Sequence, residues 1–401
     1  MTIPIVKTTF IFVLLNEFFI RLFPHSAALK IIPAAFLFMS GILLSIYAYK
    51  NFYRFKNIPL YFKFLFLLLF IWSLFTIFRS VNSNLRDLIT LFTHYRVGGW
   101  DWVSPLAVFF GFSVINWFKI FPLLVKFLLF GILFSFLSIV TGLNLTAFTL
   151  LSVFPVLLLT YSYHSTIVKR IVVISIFVYA FYGFVILSNR SSVAILILML
   201  SFFLFEYLRG SNNNGYKKIF IFISFLLFSV FVSIQANSMY NRIANDKELT
   251  TDTRTFLAIE MFNDMSENEL LIGRGALGQY YSPYFAILKR EGVKGGDSPI
   301  RSTNEIGYLH MILKGGYIMM ALYLLILVPA AYLGIVKSKN LLARMSGYII
   351  LSFIIMFVLI YPPEYRIDFI ILWMAVGTAI TKSIREMSDK DLLKIRDKEF
   401  F

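Results

Sequence analysis

Cysteine is absent from the 401 residues, so neither disulfides nor a thiolate metal site can hold any loop together. Charge is scarce. Only 14% of residues are charged, against about a quarter in an ordinary soluble domain, while 59% are apolar and 18% aromatic. One or two water-soluble globular domains are therefore excluded, and the mean hydropathy of +0.79 points to an integral membrane protein. Histidine is limited to His25, His94, His164 and His310, with no HExxH, and no P-loop, GxSxG or strand-borne GxGxxG occurs. Metal centres, nucleotide sites and serine hydrolase chemistry have no footing, so no cofactor and no metal is expected. The excess of 37 Lys and Arg over 21 Asp and Glu leaves a net charge of +16. In a membrane protein, retention of basic loops on the cytoplasmic side accounts for such an excess, and nucleic acid is not an expected partner.

What the chain has in quantity is apolar runs. They fall near residues 8–23, 31–48, 60–78, 104–118, 120–141, 147–163, 167–187, 191–208, 217–235, 313–336, 343–361 and 366–382. This predicts an all-α, polytopic membrane protein of about twelve transmembrane helices. The first run carries Asn16, Glu17 and Arg21 and lacks a small-residue cleavage signal, so it reads as a weak first helix and not a removable leader. Basic residues fix the expected orientation. Lys50, Arg54, Lys56 and Lys63 follow the second run; Lys169 and Arg170 precede the seventh; Arg209, Lys217 and Lys218 follow the eighth; and Lys337, Lys339 and Arg344 follow the tenth. All of these fall inside if both termini are cytoplasmic.

The expected organisation is then nine helices over residues 1–235, an external segment over 236–308, three helices over 309–382 and a cytoplasmic tail over 383–401. The external segment holds ten of the 21 acidic residues. It contains an amphipathic run, Arg254 to Asn263, which predicts short helices lying over the external mouth. The stretches Ile272 to Gly278 and Gly292 to Pro299 read as turns. Of these, Gly273 to Gly278 offers backbone N–H groups and Arg274 to an anion.

Arginines on the disfavoured side are informative. They are Arg79, Arg86, Arg96, Arg190, Arg254, Arg274, Arg301 and Arg366. Arg190 lies in the short turn Ser188 to Ser192 between two apolar helices, at the outer edge of the bilayer. A planar, permanently charged donor fork at that depth suits phosphate or diphosphate, although an arginine at a helix end also snorkels to lipid headgroups. Where the external segment leads into the tenth run, Glu305 sits nearest the mouth, as a proton acceptor or as a helix N-terminal acid capped by Thr303 or Asn304. His310 lies deeper, as a base or as a buried structural histidine.

Together these features resemble the bacterial O-antigen polymerase and ligase superfamily, in particular Wzy-type polysaccharide polymerases. The likeness rests on many helices, Ser188-Asn-Arg-Ser-Ser192 opening a helix, one long external segment late in the chain, and the Gly273 to Gly278 turn followed by Leu309 and Gly316. Family members carry a His-Asn pair where Glu305 and Ile306 stand here, so the base would be Glu305 or, one turn deeper, His310. The resemblance implies a GT-C-like, nucleotide-independent glycosyltransferase of the bacterial inner membrane. It would extend glycans carried on undecaprenyl diphosphate, with Arg190, Arg254, Arg274 and Arg366 holding the diphosphate and Tyr280, Tyr281 and Tyr284 stacking on sugars. Expected partners are the undecaprenyl-diphosphate-linked oligosaccharide, membrane lipids and a chain-length regulator. The alternatives are an O-antigen ligase acting on lipid A core and a flippase or other transporter.

Overall fold

The computed structural model describes residues 3–22, 31–80, 87, 89–91, 103–141, 150–183, 190–210, 253–290, 298–358 and 362–400. The expected span at 217–235, Arg86, Arg96 and most of the turn around Asn189 lie outside them. The described residues form two units. The first comprises residues 1–124, 144–146 and 254–401, and the second residues 125–143 and 147–253.

In the first unit, α1 (Ile3–Leu22) pairs with α2 (Ile31–Lys50). A 3₁₀ turn, Phe52–Asn57, leads to α3 (Leu60–Ser80). The segment after it is shorter than its hydropathy predicted. Residues 104–118 form a 3₁₀ turn at Ser104–Ala107, a single helical turn α4 (Val108–Gly111) and the start of α5 (Val114–Thr141). Lys119 and Pro122 sit inside α5 without ending it, so that the end of the expected span at 104–118 and the whole of the span at 120–141 form one helix. Hydropathy has no means to tell a buried turn from a membrane span, since both are apolar.

The late chain supplies α12 (Gly307–Val336), α13 (Leu341–Met356) and α14 (Ile367–Ile380), followed by α15 (Lys382–Glu386) and α16 (Asp389–Phe400). Every residue of α14 is buried, because other elements cover all its sides. Small residues set the spacing of these contacts. A Cβ on Gly111 would lie 2.0 Å from the Met374 carbonyl, one on Gly377 2.1 Å from that of Val108, and one on Gly334 2.7 Å from Gly347 Cα. Thr378 Oγ1 donates to the Gly111 carbonyl at 3.0 Å and accepts from Trp117 Nε1 at 2.8 Å. Asn340 starts α13 by accepting from Ala343 N at 2.9 Å.

In the second unit the described part of the expected span at 147–163 contains a short helix, α6 (Phe154–Leu159), with a 3₁₀ turn at Tyr161–Tyr163. It packs with α7 (Thr166–Phe181) and α8 (Arg190–Gly210).

Among the described residues four helices, α2, α3, α5 and α12, are long and apolar enough to cross a membrane, and α13 and α14 are shorter apolar helices. On α3, Phe62, Leu65, Phe66, Leu69, Ser73, Thr76 and Ser80 form one buried stripe at helical spacing. The opposite face exposes Phe64, Leu67, Ile71 and Phe78, an arrangement suited to hydrocarbon and not to water. This is the architecture of an all-α membrane protein.

Candidate functional site

Residues 253–290 and 298–306 of the polar segment before α12 are folded. They contain α9 (Thr253–Asp264), α10 (Glu267–Ile272), β1 (Tyr280–Tyr281), α11 (Pro283–Arg290) and β2 (Ile300–Arg301). The short helices match the sequence reading. The antiparallel pairing of Tyr280 with Arg301 was not anticipated, because two residues per strand leave no readable alternation. Leu257, Met261 and Met265, spaced four apart on and just beyond α9, join Tyr280, Leu309, Ile312 and Leu313 in one apolar cluster. Ser266 and Glu269 cap α10 reciprocally.

Helix α12 is interrupted. Gly316 has φ 71° and ψ −174°, so residues 307–315 and 317–336 are separate helical pieces. A break leaves carbonyls without intrahelical donors, and inside an apolar bundle these need partners. The glycine-rich turn supplies them. Arg274 N donates to the Leu313 carbonyl at 2.8 Å and Gly275 N to that of Lys314 at 3.0 Å, while Trp72 Nε1 donates to that of Gly315 at 2.7 Å. The turn is also tied to α3. Ala276 N reaches the Thr76 carbonyl at 3.0 Å, Leu277 N reaches Ser80 Oγ at 3.0 Å, and Arg79 Nη1 donates to the Ile272 carbonyl at 2.9 Å. Gly278 N closes the turn onto the Gly275 carbonyl at 2.8 Å. The N–H groups expected to face an anion are thus engaged in docking the turn. Gly273 and Gly316 allow the backbones to cross, since a Cβ there would stand 2.3 Å from the Lys314 carbonyl and 2.0 Å from that of Leu271.

Arg274, expected to hold a diphosphate, has its five N–H donors engaged within this segment. Nε donates to Glu269 Oε1 and Nη2 to Glu269 Oε2, both at 3.0 Å. Nη1 donates to the Gln279 carbonyl at 2.7 Å and to the Asp264 carboxylate, and Nη2 donates to the Asp264 carbonyl. Burial opposes the charge on Arg274, but its hydrogen bonds to Glu269 and Asp264 outweigh that and hold it more basic than a free arginine. The same contact holds the Glu269 carboxyl below its ordinary value. Arg366 is likewise engaged, between Glu17 at 3.6 Å, Glu364 at 3.3 Å and Asp368 at 3.7 Å. The backbones of Arg190 and Arg254 open α8 and α9, and their side chains lie outside the described set.

The two candidate bases differ sharply in environment. His310 is buried, and its Nδ1 accepts the Asn304 N–H at 3.4 Å, which places the ring proton on Nε2. Asn304, also buried, accepts from Ile306 N at 3.0 Å and so shapes the start of α12. Glu305 is open, with 60% of its side chain exposed and Arg301 Nη2 3.8 Å away. The Arg301 guanidinium carbon lies over Phe285, 3.9 Å from the ring centre. Among the tyrosines, Tyr281 is exposed, Tyr284 is half-buried, and Tyr280 is buried with its hydroxyl pushed up to about 12, chiefly by desolvation.

Sequence reasoning missed Lys314. It is buried in α12, and its ammonium donates to the carbonyls of Gly278 at 2.9 Å and Ser302 at 2.6 Å, clasping the glycine-rich turn to the end of the folded segment. The available signal was a lysine directly before Gly315-Gly316 inside an apolar run. Among the described residues no group of acids and histidines could hold a metal ion. Compared with known protein families, with characterised proteins and with solved structures, the chain matches none.

Proposed function

We propose that this chain is a Wzy-type lipid-linked glycan polymerase: a GT-C-like bundle of about twelve spans in the bacterial inner membrane, with cytoplasmic termini and residues 253–306 on the external side. It joins undecaprenyl-diphosphate-linked repeat units into O-antigen or a related capsular or extracellular polysaccharide. The observation that carries this reading is the exposed Glu305 beside Arg301, at the point where a folded polar segment passes into an apolar helix.

The acceptor sugar hydroxyl attacks the anomeric carbon of the donor glycan. The bond from that carbon to the diphosphate oxygen breaks, and undecaprenyl diphosphate leaves. Glu305 accepts the hydroxyl proton, and cations neutralise the charge growing on the leaving group. Arg190 and Arg254 remain the diphosphate ligands of choice, and Arg301 joins them in place of Arg274 and Arg366, whose charges are paired with carboxylates inside the protein. Tyr281 is the exposed stacking surface for sugar. A separate chain-length regulator would set product size.

A transporter or flippase is favoured by one observation, the break at Gly316, since transporters bind substrates at interrupted helices. Here, however, backbone donors and Trp72 fill the carbonyls at the break. Purified full-length protein incubated with synthetic lipid-diphosphate repeat units separates the readings. A ladder of lengthening glycans is expected. Movement of unextended units across vesicles without a ladder would support the flippase, and transfer only to added lipid A core would support a ligase.

A further inference from the structure

A feature that the proposed chemistry does not use lies along α3 from Lys63 to Ser73, toward its N-terminal end from the glycine-rich turn. A cavity of about 320 Å³ opens between the Phe52–Asn57 turn, α3 and residues 105–109. Its walls are mainly aromatic and aliphatic, with Phe55, Phe66, Phe70, Leu106 and Phe109 among them, and its polar contributors are Ser73 and Lys63. Phe70 is also partly open to the surroundings of the helix. A space of this size and polarity takes a hydrocarbon chain more readily than a sugar or a nucleotide.

Lys63 is the charged residue of its lining, Lys50, Arg54 and Lys56 lie close to it in sequence, and no acidic residue occurs from Lys50 to Arg79. Lys63 Nζ donates to the Lys56 carbonyl at 2.8 Å, which holds the ammonium at the end of the 3₁₀ turn and leaves two of its three N–H donors for another acceptor. Arg54 is braced by Phe112 O at 3.3 Å and the Tyr53 hydroxyl at 3.1 Å, and Lys56 is exposed. A fixed cation beside an apolar slot is complementary to a molecule with one anionic group and one long hydrocarbon tail. A cluster of basic residues next to a membrane helix attracts anionic lipid headgroups, at roughly 1 kcal/mol per cation, which is about fivefold in affinity.

The geometry points to a binding site for an anionic glycerophospholipid. One acyl chain occupies the slot between α3 and residues 105–109, and the phosphate meets Lys63 and Lys56. This site is independent of the glycan chemistry, and it lies on the leaflet that retains basic loops.

Native mass spectrometry of the purified full-length protein tests it, titrating phosphatidylglycerol, phosphatidylcholine and undecaprenyl phosphate separately. One tightly held phosphatidylglycerol per chain is expected, with phosphatidylcholine weaker. Combined Lys56→Gln and Lys63→Gln should lower phosphatidylglycerol affinity about 25-fold and leave phosphatidylcholine unchanged, while Lys63→Arg with Lys56→Arg keeps it. Leu106→Trp, which fills the slot from a half-buried position, should lower occupancy by both phospholipids. Leu106→Ala, which only enlarges it, should retain binding and so guards against misfolding as the cause. Unchanged phosphatidylglycerol affinity in the double glutamine variant overturns the proposal. So does unchanged affinity in Leu106→Trp, which would mean surface attraction alone. Tighter binding of undecaprenyl phosphate than of phosphatidylglycerol would make the slot a carrier-lipid site and overturn it as well.

Discussion

An arginine can face a ligand only with donors it has not already committed, and Arg274 shows how the rule discriminates between cations of the same kind. Its guanidinium ties Asp264, Glu269 and Gln279 into one knot. Arg274→Lys keeps the charge but loses the fork, so stability should fall by about 2 kcal/mol, read as a lower melting temperature in detergent. The Glu269 carboxyl is held below its unfolded value of about 4.3 by the Arg274 contact, so its stabilising contribution is complete above that pH. It is lost as pH falls through the depressed folded value. Protease resistance of the 253–301 segment should therefore weaken on acidification below about pH 4 in the native protein, and that acid-dependent part should be missing in Glu269→Gln. Glu305 and His310 make the opposite comparison. Glu305→Gln should reduce polymer formation by about 100-fold or more with the fold intact, since general-base assistance is worth that much. His310→Ala should lower stability, because it removes the acceptor of the Asn304 N–H. Normal chain length with Glu305→Gln would remove the proton-acceptor assignment. The sequence marked Arg274, Glu305 and His310 as candidates. It had no means of showing which donors were committed, because partners 5 and 10 residues away for Arg274, and 36 away for Lys314, come together only through the folded turns.

At the scale of elements, the break in α12 and the glycine-rich turn form one device, since the turn exists to fill the carbonyls the break exposes. Gly316→Ala places a Cβ where the Leu271 carbonyl stands 2.0 Å away, on a backbone with φ 71°, and neither strand can retreat without losing its hydrogen bonds. The variant should release the turn, with limited proteolysis cutting near residues 273–278 at least about tenfold faster than in the native protein, a shift equivalent to about 1.4 kcal/mol in local opening. Gly131→Ala is the control. Its new Cβ would meet only the side chains of Leu150 and Leu151, at 3.0 Å or more, and side chains can give. Equal protection of the turn in native protein and Gly316→Ala would show that the crossing is not what holds it. The amphipathic run of α9 was legible from the spacing of its apolar residues, and the turn from its glycines. The break was not, because hydropathy averaged over a run reads Lys314-Gly-Gly as a dip and not as a boundary. The same averaging made full spans of residues 104–118 and 147–163, within which the structure has single turns at 104–111 and a short helix at 154–159.

For the whole molecule, the membrane character was legible from composition alone, since a chain this poor in charge must find an apolar environment, and the exposed face of α3 agrees. Orientation is a different matter. It rests on where basic loops fall, and the diphosphate proposal inherits that dependence: Arg190, Arg254 and Arg301 can meet an external lipid diphosphate only if the folded segment lies outside. The lack of cysteine makes this directly measurable, because any thiol introduced is the only one in the chain. Gln279 is exposed beside the glycine-rich turn, while Lys56 and Lys339 are exposed in the basic loops. With a maleimide that does not cross membranes, Gln279→Cys should be labelled in intact cells whose outer layer is open to the reagent. Lys56→Cys and Lys339→Cys should be labelled only after the inner membrane is breached. The reverse pattern would make the arginines of residues 254–301 ordinary cytoplasmic retention charges, and the glycan-transfer reading would fall with them. The docking of the turn onto α12 and the phospholipid slot toward the N-terminal end of α3 would stand, because neither depends on which side faces the cytoplasm, although the slot would then belong to the other leaflet.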